Sequence, residues 1–275
     1  GEVIYEWISD STYRFFFKFY RDCTGIQEED TKDLCCFEKC TNTTFNVLMT
    51  KWSGPLPGGG VNGSHVSAGC TLYPDKCTDA SSILPGYKEW WYSCIVTLPL
   101  KCNNWKFAAW VGARNPSNNI TGGNIYVETT FDNATIAGID SNSSPYFSIK
   151  PIPYMCLNQP YSFNNGAIDP NGDSVVTTVI QPLNHGDCTT TPAVSAWQSG
   201  SPAFNLTNNP FQTNNSFSLV PQTGQMSFTP GQGGPSTLTT KVTEYRYGKE
   251  IGYILRDIQV QVMACSTQQP VIAPL

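Results

Sequence analysis

Charge is scarce in this chain. Lys, Arg, Asp and Glu make up 13% of 275 residues, about half the usual share. The net charge is −5 and no basic run occurs, which argues against nucleic acid and anionic membranes as partners. Histidine is nearly absent, with His65 and His185 the two examples. That poverty, together with the lack of a nucleophile-elbow or metal motif, disfavours an enzyme. No apolar run approaches the roughly 18 residues a membrane span needs. Long helices are also disfavoured. Twenty prolines and 23 glycines interrupt the chain, and each either removes a backbone donor or raises the entropic cost of a helix.

Apolar residues are present in quantity. They form 40% of the chain, enough for real cores, so disorder is excluded. Asn, Thr, Ser, Gly and Pro fill the space that charge leaves. Eleven cysteines point to an oxidising, extracellular compartment, because cytosolic proteins keep thiols reduced. The odd count leaves at least one cysteine outside any internal pair. Gly1-Glu-Val-Ile-Tyr5 begins directly as a strand, so the chain reads as a mature or trimmed product.

The apolar residues follow a strand period. In Thr12–Asp22, Tyr13, Phe15, Phe17 and Phe19 share one face, as a sandwich core requires. Similar runs occur at 87–99, 105–111, 124–131 and 175–180. Thr239–Tyr247 and Ile251–Met263 read as a hairpin around Gly248-Lys249. Strands recur every 8–15 residues with Gly, Pro or Asn between them, and no helical pattern intervenes. We therefore expect an all-β protein of two tandem Ig-like or cadherin-like sandwiches. The first would span residues 1–140 and the second 146–265. Residues 141–145 have linker composition, and 266–275 form an extended tail.

Asp169-Pro-Asn-Gly-Asp173 is the most distinctive local motif. Asp169, Asn171 and Asp173 place oxygens at alternate positions around a glycine turn, and Glu244 on the hairpin can add another. Such a set suits calcium. A tight turn held by Asx hydrogen bonds without an ion is the expected reading, with calcium the alternative.

The cysteines read as disulfides. In the first half, Cys23, Cys35, Cys36 and Cys40 have Cys70, Cys77, Cys94 and Cys102 as available partners, in a pairing that sequence does not fix. Zinc is disfavoured for lack of a second knuckle or a nearby histidine. In the second half, Cys156 precedes the first core strand and Cys265 ends the last. First and last strands often adjoin in sandwiches, so these two are expected to pair, with Cys188 left over.

His185-Gly-Asp-Cys188 crowds a base, an acid and a thiol together, but triads assemble from residues distant in sequence. Trp90-Trp91-Tyr92 can form a sugar platform or fill the core, and core is the expectation for at least one tryptophan. Sequons include Asn42, Asn119, Asn133 and Asn205. Ser11 and Ser174 lie in Asp-Ser-Thr and Asp-Ser-Val triplets that resemble an O-glycosylation signal of Bacteroidota secreted proteins.

Several segments occur in an order that resembles a known family. They include Phe17-Lys-Phe-Tyr-Arg-Asp-Cys23, Lys101-Cys-Asn-Asn-Trp-Lys-Phe107 and Asn124-Ile-Tyr-Val-Glu-Thr-Thr130. Further along come Pro153-Tyr-Met-Cys156, Asp169-Pro-Asn-Gly-Asp-Ser174, Glu244-Tyr-Arg246 and Arg256-Asp-Ile-Gln259. The set resembles the N-terminal region of large Bacteroidota secreted surface proteins, described as gliding-motility-associated or adhesin-like. The resemblance implies export by type IX secretion and a role as a cell-surface adhesin segment or filament subunit. Copies of the chain, other surface proteins or glycans would be its partners. Gly112-Ala113 stands where the family carries a Cys-Cys pair, and Cys35, Cys36, Cys94 and Cys188 are additions, so the family's pairings do not transfer to the first half. A carbohydrate-binding module of a secreted protein is the alternative function.

Overall fold

The computed structural model describes residues 1–56, 60–66, 74–136, 138–151, 154–184 and 186–265. Its strands account for the alternation read above. The first half contributes β1 (Glu2–Ser9), β2 (Thr12–Asp22), β3 (Thr31–Glu38), β4 (Thr43–Lys51), β5 (His65–Val66), β6 (Tyr87–Thr97), β7 (Trp105–Val111) and β8 (Ile125–Phe131). The second half begins with the short strands β9 (Tyr146–Phe147), β10 (Tyr154–Cys156), β11 (Tyr161–Asn164) and β12 (Ala167–Ile168). It continues with β13 (Ser174–Ile180), β14 (Ser218–Val220), β15 (Gln225–Phe228), β16 (Gly234–Arg246) and β17 (Lys249–Met263).

The main sheet runs β1-β2-β6-β4-β3-β7-β8-β17-β16-β13, and β1 also pairs with β17. The first seven strands therefore curl until β1 and β8 meet on a common neighbour. Strand β17 gives one edge to β16 along nearly its whole length. Its other edge serves β8 at Gly252–Ile254, then β1 at Arg256, then β10 in parallel at Gln261–Met263. Smaller sheets β11-β15-β14 and β12-β9 complete the second half.

Three cores result. The first lies inside the curled sheet. It takes Tyr13, Phe15, Phe17 and Phe19 from β2, Tyr92, Cys94 and Val96 from β6, and Trp105, Phe107 and Ala109 from β7. The second, in the other half, is built on Phe163, Phe211, Phe217, Met226 and Phe228. The third packs the outer face of the first half, through Ile4, Phe16 and Trp91, against Phe147, Val242 and Ile254. Strand β17 supplies Ile251 to the first, Ile254 to the third, and Ile258, Val260 and Val262 to the second.

The segment expected to be a linker differs from that reading. Asn142 and Ser144 are buried; the Tyr5 N–H donates to the Ser144 hydroxyl Oγ (2.9 Å), and the Ser144 N–H donates to the Tyr5 carbonyl (2.9 Å). A Ser/Asn/Pro run looks the same in sequence whether its polar groups face water or strand edges. Main-sheet hydrogen bonds cross the expected boundary at 141–145, since β17 pairs with β1 and β8.

Buried ions lock the same seam. The Glu2 carboxylate lies 3.0 Å from Lys18 Nζ and 3.1 Å from Arg256 Nε. Arg114 binds Asp257 through both Nη atoms, at 2.6 and 2.8 Å. Losing one partner of such a pair strands a charge at a cost of about 3–5 kcal/mol.

Four disulfides lie among the described residues: Cys23–Cys77, Cys35–Cys188, Cys40–Cys102 and Cys156–Cys265. The last joins the pair singled out in the second half. Cys188 is not left over, however. The loop after β13 folds back over the outside of β3, β7 and β8, and buries Cys188 with Cys35, Ala108 and Tyr126. Cys36 and Cys94, expected in bridges, are free buried thiols, because both point into the aromatic core. Cys70, His185 and the tail 266–275 lie outside the described residues.

Candidate functional site

The Asp169–Asp173 motif forms a turn between β12 and β13. Asp169 Oδ1 accepts the backbone N–H groups of Asn171 and Asp173, each at 2.9 Å. Gly172 takes the left-handed φ of 83° that closes the turn, a conformation open to glycine at little cost. Pairing of β13 with β16 sets Val175 opposite Glu244. The β16–β17 register slips between Glu244 and Tyr245, the kind of irregularity that re-aims a side chain.

One carboxylate oxygen from each of Asp169, Asp173 and Glu244 lies within 4.8 Å of the other two. Asn171 stands apart from this group: its Oδ1 accepts the Ser143 N–H at 2.8 Å, tying the turn to 141–145. Arg246, two residues beyond Glu244, donates to both Asp173 oxygens and, through Nη2 at 2.6 Å, to Asn142 Oδ1. Asn142 Nδ2 in turn reaches the Tyr5 hydroxyl at 3.3 Å. Arg246, Asn142 and Tyr5 were missed by sequence reasoning. The i, i+2 spacing of Glu244 and Arg246 on one strand face was the available signal.

Glu244 is 1% exposed. Its Oε1 is buried without a hydrogen-bond partner, and so is Asp169 Oδ2. Burial, with the Asp169 charge adding to it, pushes the Glu244 carboxyl up to about 9. Burial likewise raises Asp169, against the pull of its two backbone donors. Three acids face one guanidinium here, and two of their buried oxygens have no hydrogen-bond partner.

No protein-family model, curated protein or solved structure matches this chain. The site must be read from its own atoms.

Two other clusters of ligand-type side chains are occupied by structural roles. Beside Glu38, Cys40 and Cys102 are bonded to each other. In the His65, Asp75 and Cys77 group, Cys77 is bonded to Cys23 and His65 Nε2 sits 2.5 Å from Asp75.

Trp90-Trp91-Tyr92 does not form a platform. Trp91 and Tyr92 are buried in different cores, and Trp90 packs partly buried with Lys51 Nζ 4.8 Å from its ring centroid.

Among the glycan candidates, Asn42 and Ser174 are exposed, and Ser11 and Asn205 are half-buried. Asn119 and Asn133 differ from expectation because both are buried. Asn119 uses its amide fully: Nδ2 donates to Pro210 and Thr237 carbonyls, and Oδ1 accepts from Thr237 N–H and Ser117 Oγ. Asn133 Oδ1 accepts the Cys102 N–H. A sequon does not reveal whether its amide faces solvent.

Proposed function

We propose that this chain is a non-enzymatic extracellular structural or adhesive protein, serving as a surface adhesin segment or a filament subunit. The all-β body with its large antiparallel sheet supports this reading at the level of fold class. The observation that carries this reading is the bracing of an all-β body by four disulfides spanning 54 to 153 residues. Bridges of that number belong to oxidising compartments. Among the described residues no helix is long and apolar enough to cross a membrane. Buried ionisable groups such as Glu2, Lys18 and Arg256 join segments to one another, as rigidity demands. The ordered motifs that resemble Bacteroidota surface proteins support display through type IX secretion, with copies of the chain or neighbouring surface proteins as partners.

Latex beads coated with the purified protein should cluster or adhere to cells, and negative-stain images should show rods or fibres. Monodisperse particles on beads that neither cluster nor adhere would overturn the reading. A hydrolytic turnover lost on His185→Ala would do the same. Binding on a glycan array would instead favour a carbohydrate-binding module.

A further inference from the structure

We infer that Asp169, Asp173 and Glu244 form a calcium site that ties the 142–144 segment, the 169–173 turn and β16 together. The inference is independent of what the outer surface binds. Geometry comes first: three carboxylates from two separate segments converge to within 4.8 Å. Partnering comes second. Asp169 Oδ2 and Glu244 Oε1 are buried with no hydrogen-bond donor, although buried polar atoms are almost always satisfied. A turn held by Asx bonds alone would leave these oxygens unexplained, since its hydrogen bonds use only Asp169 Oδ1.

Charge comes third. Arg246 is engaged by Asp173 and Asn142, so with all three carboxylates ionised around it a divalent ion would match the two charges that the guanidinium leaves. The donors are all oxygen, which selects a hard cation. Donors carried on a turn and on a strand irregularity suit the flexible coordination of calcium better than the near-ideal octahedron magnesium demands. The position explains the consequence. Asn142 contacts Tyr5 of β1 and Arg246 of β16, and Asn171 holds Ser143, so an ion here would stiffen the seam between the halves.

The test uses the whole chain at pH 7.5, with Tb³⁺ emission excited through tyrosine and thermal unfolding in calcium against EGTA. Calcium should raise the Tm of the wild type by several degrees, displace Tb³⁺, and act more strongly than equimolar magnesium. Glu244→Gln and Asp169→Asn each keep the side-chain shape and remove a ligand charge. In each, affinity should fall at least ten-fold while the Tm in EGTA stays at or above that of the wild type. Three results would overturn the inference: no calcium response in the wild type, an undiminished response in both variants, or equal responses to magnesium. The first, with variants more stable than wild type, would identify instead a carboxyl pair sharing a proton.

Discussion

Removing the Cys35–Cys188 bridge should cost about 5 kcal/mol. The bond joins residues 153 apart in sequence. In the unfolded chain the effective loop is shorter, because Cys40–Cys102 lies within it and offers a short cut. The path from Cys35 through that bridge to Cys188 covers about 90 residues, for which chain entropy gives about 4.6 kcal/mol. Both sulfurs are buried beside Ala108 and Tyr126, so replacing them with alanine also forfeits a little packing, up to about 1 kcal/mol. For a protein of this size the sum lowers Tm by roughly 10 °C. The assay is urea unfolding of Cys35→Ala/Cys188→Ala followed by tryptophan fluorescence. The midpoint should drop and the m-value should rise, since the variant's unfolded chain exposes more surface. A stability loss below about 1 kcal/mol with an unchanged m-value would refute the reasoning, and would mean that the loop carrying Cys188 is held in place by other contacts.

Asn119→Ala should destabilise by about 3–5 kcal/mol, since it orphans buried partners on Ser117, Pro210 and Thr237; a chemical denaturation curve within 1 kcal/mol of wild type would contradict this. The Glu38 carboxyl is pushed up by burial, but the Thr41 hydroxyl and N–H and the Thr43 N–H outweigh that effect and hold it down to about 2. A depressed folded-state value means stability is present above the unfolded value near 4.5 and is lost as pH falls toward 2. Glu38→Gln should therefore flatten the fall in Tm across that window, and an unaltered slope would exclude Glu38 as its source. Burial pushes the Cys94 thiol up to about 12 and raises Cys36 further, with Cys94 adding to the latter. Peptide mapping after native iodoacetamide treatment should find neither modified, while both react in denaturant; native labelling of either would contradict its place in the core.

The parts legible in the sequence were those where one face alternates cleanly. Tyr13 to Phe19 announced β2, and the apolar residues flanking Gly248 announced the β16–β17 hairpin. Strands β3 and β4 were hidden because Thr31–Glu38 and Thr43–Lys51 are polar or carry cysteines, although Leu34, Cys36 and Met49 do point inward. Lys18 sat on an apparently outer face and is buried against Glu2, an arrangement that no local pattern encodes. The Asp169–Asp173 turn was legible as an oxygen-rich motif with Glu244 as its distant partner. The contribution of Asn142 was not, because its serine-rich surroundings describe a solvated loop equally well.

Strand β17 carries a consequence for how such a chain can evolve. A fragment ending near residue 145 would bare the edges of β1 and β8 that β17 joins, and bare edges invite aggregation. A fragment beginning there would leave Ile251 and Ile254 without the neighbours they are packed among. The halves therefore cannot be shuffled, duplicated or traded as separate modules. Recombination has to move them as one unit, with every later insertion confined to loops that β17 does not touch.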